Sequence, residues 1–306
     1  MKLLQAIAGA EFGGAESFFT RLAVALKKAN VEQKVLLRKN DQRSSIIQNA
    51  GIEFEELPFG GALDWTTKHQ IKLHLNRFKP DILLTWMNRA TKHCSGIKSK
   101  KSVHVARLGG YYDLKYYQQC DQLICNTQGI ASYLKGNGWP AEKVQYLPNF
   151  VDLDEDGIVK RKEFYTPENA PLVLAMGRLH ENKGFDVLLK ALAHVPGTYL
   201  WLAGEGPLRL ELESLAEKLG IKPRVRFLGW YDNVSALLRV ADLFVCPSRH
   251  EPLGNVVLEA WAHEVPVVAT DSEGPGELID HLQSGILVPI DNAVLFIVTY
   301  TTNSKS

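Results

Sequence analysis

Short apolar runs alternate with longer amphipathic stretches along this chain, and the alternation repeats in its second half. That rhythm is the pattern of α/β folding, with parallel strands joined by crossing helices. Leu3–Ala8 reads as the first buried strand. Glu16–Lys28 follows as a helix, with Phe18, Phe19, Leu22, Ala25 and Leu26 at helical spacing. Further strands are expected at Val35–Leu37, Ile52–Leu57, Asp81–Trp86, Val103–Arg107, Gln122–Asn126 and Val144–Leu147, and helices at Ser44–Asn49, Trp65–Phe78 and Gln128–Leu134. The helix at Trp65 stops before Lys79-Pro80, because the residue ahead of a proline resists helix.

A change of composition then divides the chain. Pro148-Asn149 leads into acidic Asp152–Asp156, basic Lys160-Arg161-Lys162 and Pro167, which reads as a linker over 151–168 between a first domain at 1–150 and a second at 169–290. The second half repeats the plan. Strands are expected at Leu172–Met176, Tyr199–Ala203, Val225–Leu228, Leu243–Cys246, Pro266–Ala269 and Ile286–Val288. Helices are expected at Gly184–Ala193, Pro207–Leu219, Val234–Val240, Asn255–His263 and Gly276–His281. A length of 306 residues suits two such domains. The expected fold class is α/β with two Rossmann-like domains. Residues 291–306 depart from the plan: Val294–Val298 followed by a polar end reads as strand-like and suggests a truncated C-terminal end.

Composition excludes several classes. Apolar residues make up 45% and charged residues 23%, as in ordinary globular proteins. A formal charge of +1 gives the molecule as a whole no strong field toward nucleic acid or membrane. Cys94, Cys120, Cys125 and Cys246 form no CxxC pair and no zinc spacing, so free thiols in a reducing compartment are expected. No stretch reaches the ~20 apolar residues that span a bilayer. Gln5 and the Gly13-Gly14 turn argue against a leader peptide at Met1–Leu4. Asp152, Asp154, Asp156, Gly157 and Glu163 have calcium-loop spacing. Pro148, Asn149 and Pro167 argue against the flanking helices such a loop needs, so an acidic linker without metal or cofactor is expected.

The chemistry gathers in loops that follow strands. Pro247–Gly254 turns from a strand into a helix for which Asn255 is the expected N-cap, and helix N-termini bind phosphate. Glu251 and Glu259 bracket this turn. Carboxylates accept hydrogen bonds from paired hydroxyls, as sugars and riboses present, although acids also gather at helix starts for the dipole alone. Gly177-Arg178-Leu179-His180-Glu181-Asn182-Lys183-Gly184 places two cations beside a glycine, which suits a diphosphate; a solvated loop paired to Glu181 is the competing reading. Gly204-Glu205-Gly206-Pro207 reads as a plain turn that could line a base pocket. Ser272–Glu277, with Gly274 and Glu277, reads as a glycine-rich loop able to hold an anion. Gly13-Gly14-Ala15-Glu16 joins the first strand to the first helix.

Taken together, these residues resemble the retaining glycosyltransferases of the GT-B fold, in family 4, also called group 1. The acids Glu251 and Glu259, with seven residues between, look like the family's paired-glutamate motif, and Gly177-Arg178-Leu179 with Asn182-Lys183-Gly184 add to the likeness. Leu147–Asp152 resembles the family's crossing between domains. The resemblance implies two domains facing across a cleft and a hexosyltransferase that retains anomeric configuration without a metal. It gives Arg178 and Lys183 the donor diphosphate, Glu251 the donor sugar, and Glu259 the ribose. Gly177, Gly204, Gly254, Asn255, Gly274 and Glu277 would line the donor site, and Gly14 would admit the donor from the first domain.

The acceptor is expected on the first domain, at Gly109-Gly110-Tyr111-Tyr112-Asp113 and at Glu16, Asn88 and Arg89, with loop packing as the competing reading. The implied partners are a nucleotide-sugar donor and a glycolipid or saccharide acceptor such as lipopolysaccharide core, with no nucleic acid. The expected location is the cytoplasm, and Lys98, Lys100 and Lys101 suggest contact with the inner face of the cytoplasmic membrane. A sugar-nucleotide epimerase and an inactive donor-binding remnant are the rival readings.

Overall fold

A computed structural model of the chain describes residues 1–292 apart from 12, 62, 98–100, 152, 154–156 and 158. The alternation resolves into two all-parallel sheets. The first is built from β1 (Lys2–Ile7), α1 (Gly14–Lys28), β2 (Glu32–Arg38), α2 (Asp41–Asn49), β3 (Glu53–Leu57), α3 (Trp65–Phe78), β4 (Ile82–Trp86), α4 (Met87–Cys94), β5 (Val103–Leu108), β6 (Gln122–Cys125), α5 (Gln128–Gly136) and β7 (Val144–Tyr146), in strand order β3-β2-β1-β4-β5-β6-β7. The second comprises β8 (Leu172–Met176), α6 (Phe185–Leu192), β9 (Tyr199–Ala203), α7 (Arg209–Lys218), β10 (Val225–Gly229), α8 (Val234–Leu238), β11 (Leu243–Cys246), α9 (Asn255–Ala262), β12 (Val267–Thr270), α10 (Glu273–Leu278) and β13 (Ile286–Val288), in order β10-β9-β8-β11-β12-β13. The chain divides into compact units at Met1–Asn149 and Phe150–Ser306.

Strands buried on both faces must be apolar nearly throughout, and β1 and β8 are. The exception, Gln5, is fully buried yet satisfied. Its amide donates to Gln33 Oε1 at 2.9 Å, its carbonyl accepts from Trp86 Nε1 at 3.1 Å, and Gln33 in turn donates to Ala23 O at 2.7 Å. One polar chain thus ties β1, β2, β4 and α1, while Phe19 meets the Trp86 ring edge-on at 5.3 Å.

Three local expectations need correction. Asn88 and Arg89 lie not in a loop but in the first turn of α4, which the chain enters through Met87 in the left-handed conformation, φ 58°. The apolar period fails to mark α4 because its core face includes Thr91 and His93. The glycine-rich loop expected at Ser272–Glu277 is mostly helix: α10 spans Glu273–Leu278, three residues ahead of the short helix expected at Gly276–His281. Pro275 occupies the helix's third position, where its missing N–H costs nothing, and Gly274 lies against Leu253, where a Cβ would come within 2.3 Å of backbone. Part of the expected linker belongs to the second unit: Val159 is buried, Phe164 packs edge-on against Trp201, and Arg161 donates to Val240 O, Ala170 O and Asp242. The calcium-like positions Asp152, Asp154 and Asp156, the tail from 293, and Lys98 and Lys100 fall outside the described residues.

Candidate functional site

In each sheet the strand order reverses once, between β1 and β4 and between β8 and β11. Crossovers leave such a pair in opposite directions, so a crevice opens beyond the carboxyl ends, where open α/β sheets bind ligands. In the second unit the loops flanking that point are 177–184 and 247–254, the two richest in the sequence.

These loops are bonded together. Asn182 O accepts from the amides of Arg249 (2.8 Å) and His250 (3.1 Å). Arg249 donates to Glu181 O (2.8 Å), to Asp186 Oδ2 (3.0 Å) and to Asp291 Oδ1 (2.6 Å). Within this frame Lys183 Nζ forms an ion pair with Glu251 Oε2, with both side chains largely buried. Sequence reasoning assigned these two to separate duties, or Lys183 to Glu181. The structure joins Lys183 to Glu251, which also accepts a long hydrogen bond from Ser248 Oγ at 3.5 Å. Burial opposes the Lys183 charge, but the Glu251 carboxylate and its hydrogen bond outweigh that and hold the ammonium above the ordinary lysine range. Burial, with the Glu251 charge, pushes the nearby Cys246 thiol up to about 11, so it stays protonated and unreactive at neutral pH.

The remaining donor-side positions divide. Arg178 is exposed on its loop, and Glu277 is exposed on α10. Glu259 is half-buried one turn into α9. Asn255 is not the N-cap but the first helical residue. Gly254 caps α9 instead at φ 86°, a conformation glycine reaches without cost. Gly177 flanks Lys183, whose aliphatic carbons lie 3.6 Å from where a Cβ would stand. Gly204 and Gly274 make room for neighbouring backbone.

Sequence reasoning passed over Glu273. Its carboxylate pairs with His250 Nδ1 and accepts from Glu251 N at 3.1 Å, while Gly274 N donates to Glu251 O at 2.8 Å, so α10 clamps both sides of Glu251. Burial would raise its pKa, but the backbone amides and His250 outweigh burial and hold it below the usual glutamate range. A depressed folded pKa contributes stability that is present above the ordinary value and lost as pH falls through the lowered one. Glu273→Gln is therefore expected to lower the melting temperature fully at neutral pH and progressively less under acid. An equal loss at every pH would refute the ionic role of this clamp.

In the first unit the carboxyl ends of β1, β4, β5 and β6 lie side by side. Glu16 is buried, and its carboxylate turns into the loop before α1, accepting from Ala10 N at 2.7 Å; a Cβ at Gly9 or Gly13 would stand within 2.4 Å of it. It organises the loop rather than presenting a free carboxylate. Gly14 opens α1. Asn88 accepts from the buried Tyr117 hydroxyl at 2.7 Å, and Arg89 is exposed. Tyr111 meets Tyr133 edge-on at 5.4 Å, and Asp113 caps the short turn at Leu114 and pairs with Lys115. In the sequence Asn126 is only the end of an expected strand. It is 94% buried, within van der Waals reach of positions built on Gly109, and among the described residues its Oδ1 has no hydrogen-bond partner. Orphaned buried carbonyls are rare.

Residues 170–299 match the family described as glycosyl transferases group 1, and residues 12–155 match glycosyltransferase family 4. The lipopolysaccharide core biosynthesis glycosyltransferase LpsE of Rhizobium meliloti is 38% identical over 92% of this chain and 82% of its own. The chain is a family 4 glycosyltransferase. LpsD of the same organism, also a lipopolysaccharide core biosynthesis glycosyltransferase, is 35% identical over 94% of this chain and 83% of its own. This glycosyltransferase has the GT-B fold: Anabaena Alr3699/HepE, solved with UDP and glucose, superposes with a TM-score of 0.85 over all of this chain and 90% of that one, at 22% identity. Among the described residues, no helix of the enzyme is long and apolar enough to cross a membrane.

Proposed function

We propose that this glycosyltransferase moves a hexose-type sugar from a nucleotide-sugar donor to a glycolipid or polysaccharide acceptor of the lipopolysaccharide-core class, retaining anomeric configuration, at the inner face of the cytoplasmic membrane. The observation that carries the reading is the buried Lys183–Glu251 pair at the switch point of the second sheet. A lysine kept charged against burial can stabilise the negative charge that develops on a departing diphosphate, at no reorganisation cost. Glu251, fixed by Lys183 and flanked by the Glu273 clamp, has acceptor capacity left for sugar hydroxyls. Arg178, on the same loop, supplies a second cation, and Glu259 the ribose contact. The relatives LpsE and LpsD support the acceptor class, and the UDP and glucose held by HepE support a UDP-sugar. On the acceptor side, Asn126 Oδ1 would accept a hydrogen bond from a hydroxyl of the incoming sugar, with Asn88 and Arg89 as further acceptor contacts.

Thermal melts with a panel of UDP-, GDP- and ADP-sugars test this. One donor class is expected to raise the melting temperature, by mass action. Arg178→Ala and Glu259→Ala should each lose that response. If both variants respond like the parent enzyme, the site assignment is wrong. Slow donor hydrolysis with retained anomer should accompany binding. Conversion of the free donor to its epimer would instead identify an epimerase, and binding without turnover an inactive remnant.

A further inference from the structure

The whole-chain charge of +1 hides a division. Residues 1–149 carry 21 Lys and Arg against 12 Asp and Glu, a formal +9, and residues 150–306 carry 14 against 22, a formal −8. In the first unit, part of the excess is displayed by two neighbouring helices. Neither α3 nor α4 contains an acid, and they pack side by side. Their core faces bury Ile71, Leu75, Ala90 and Cys94, which leaves Lys68, Lys72 and Arg77 of α3 and Arg89 and Lys92 of α4 exposed.

The start of α3 adds a second feature. Leu63 is 89% and Trp65 77% exposed, and among the described residues no large apolar side chain is more exposed than Leu63. They flank Asp64, whose carboxylate accepts from Gly60 N (2.7 Å), Thr66 Oγ1 (2.7 Å) and Thr67 N (3.0 Å). The one acid at this tip is thus engaged within its own turn. His93 of α4 lies 3.2 Å from Gly60 O and meets the Phe59 ring edge-on at 5.7 Å, which anchors the turn to α4. An organised turn therefore holds a leucine and a tryptophan in solvent at the end of a cationic helix pair.

We propose that the α3–α4 face of the first unit docks on an anionic lipid bilayer, with Leu63 and Trp65 entering the headgroup boundary and the lysines of both helices lying over lipid phosphates. Tryptophan favours that boundary because its ring is apolar and its N–H polar, and an acid-free basic face complements an anionic leaflet. A nucleic-acid duplex, its bases already stacked, would use the cations but leave the leucine and tryptophan without a role. The inference deepens the proposed membrane-borne acceptor, yet vesicle binding can be measured without any acceptor.

The test is sedimentation of the full chain with phosphatidylcholine vesicles and with phosphatidylglycerol-rich vesicles at low salt. Binding is expected to the anionic vesicles alone and to weaken as salt is added. Lys68→Glu/Lys72→Glu should reduce partitioning by about tenfold or more, and Leu63→Ser/Trp65→Ser by a similar factor. Leu210→Ser, at a leucine of the second unit as exposed as Trp65, should change nothing. Trp65→Phe should bind but lose the blue shift in tryptophan emission. Unaltered binding by the apolar double variant, or duplex DNA displacing the protein from vesicles equally in parent and apolar variant, would overturn the inference. Donor melts on the same variants keep the two readings apart. Failure to bind vesicles with an intact donor response ends only the docking face, and loss of donor response in the parent ends only the transferase site.

Discussion

Lys183→Met should lower sugar transfer by about 10²–10³-fold, the loss seen when one preorganised group facing a transition-state charge is removed. Lys183 is held by Glu251 where solvent is largely excluded, so its charge acts at low effective dielectric. Because Glu251 raises its pKa despite burial, the ammonium and the pair's stabilisation are fully present below the ordinary lysine value and are lost only as pH rises through the higher folded one. The rate should therefore show no lysine limb across roughly pH 6–9. The same substitution strands a mostly buried carboxylate, at a stability cost of about 3–5 kcal/mol. Adding Glu251→Gln removes the stranded charge, so the double variant should regain much of its melting temperature and none of its rate. Parent-level turnover by a folded Lys183→Met enzyme would sink the leaving-group role.

The division between what could and could not be read from the sequence follows a physical line. Parallel strands buried on both faces are continuous apolar runs, so β1, β8 and β11 announce themselves. The helix α4 does not, because His93 and Thr91 are buried through hydrogen bonds to Gly60 O and Met87 O rather than through apolar character. For α10 the sequence shows only the later part, because propensity argues against a helix through Gly274-Pro275-Gly276, and packing on Leu253 overrides it. At the site, Arg178, Lys183, Glu251 and Glu259 were each legible as residue types after strands. The bond between Lys183 and Glu251 was not, since a separation of 68 residues carries no pairing signal. The same holds for Arg249 with Asp186 and Asp291, and for the amide of Glu251 with Glu273. The whole-chain charge hides its own distribution, because two oppositely charged domains sum to near neutrality.

Gly204→Ala should unfold the second unit's donor edge, costing about 2–6 kcal/mol in stability. Two effects combine. The residue sits at φ 138°, where L side chains pay about 1–3 kcal/mol. A Cβ there would also stand 1.9 Å from Gly177 O and 2.8 Å from its carbonyl carbon. Backbone opposes backbone, so no flexible side chain can yield, and the overpacking adds about 1–3 kcal/mol. The two loops are already fastened, Gly177 N to Ala203 O at 3.0 Å and Gly204 N to Gly229 O at 2.7 Å. Any relief must push 177–179 away from the sheet and carry Arg178 with it. Gly197→Ala separates the two effects: its φ is 78°, but nothing lies within 4 Å of the added carbon, so only the conformational cost of about 1–2 kcal/mol applies. Urea titration of both variants, with and without donor, decides between two explanations of this glycine. If Gly204 is small only to admit a nucleotide, Gly204→Ala loses no more stability than Gly197→Ala does, and loses donor binding besides. If it is small because two loops must touch, stability falls well beyond the Gly197→Ala loss, and the donor response falls with it.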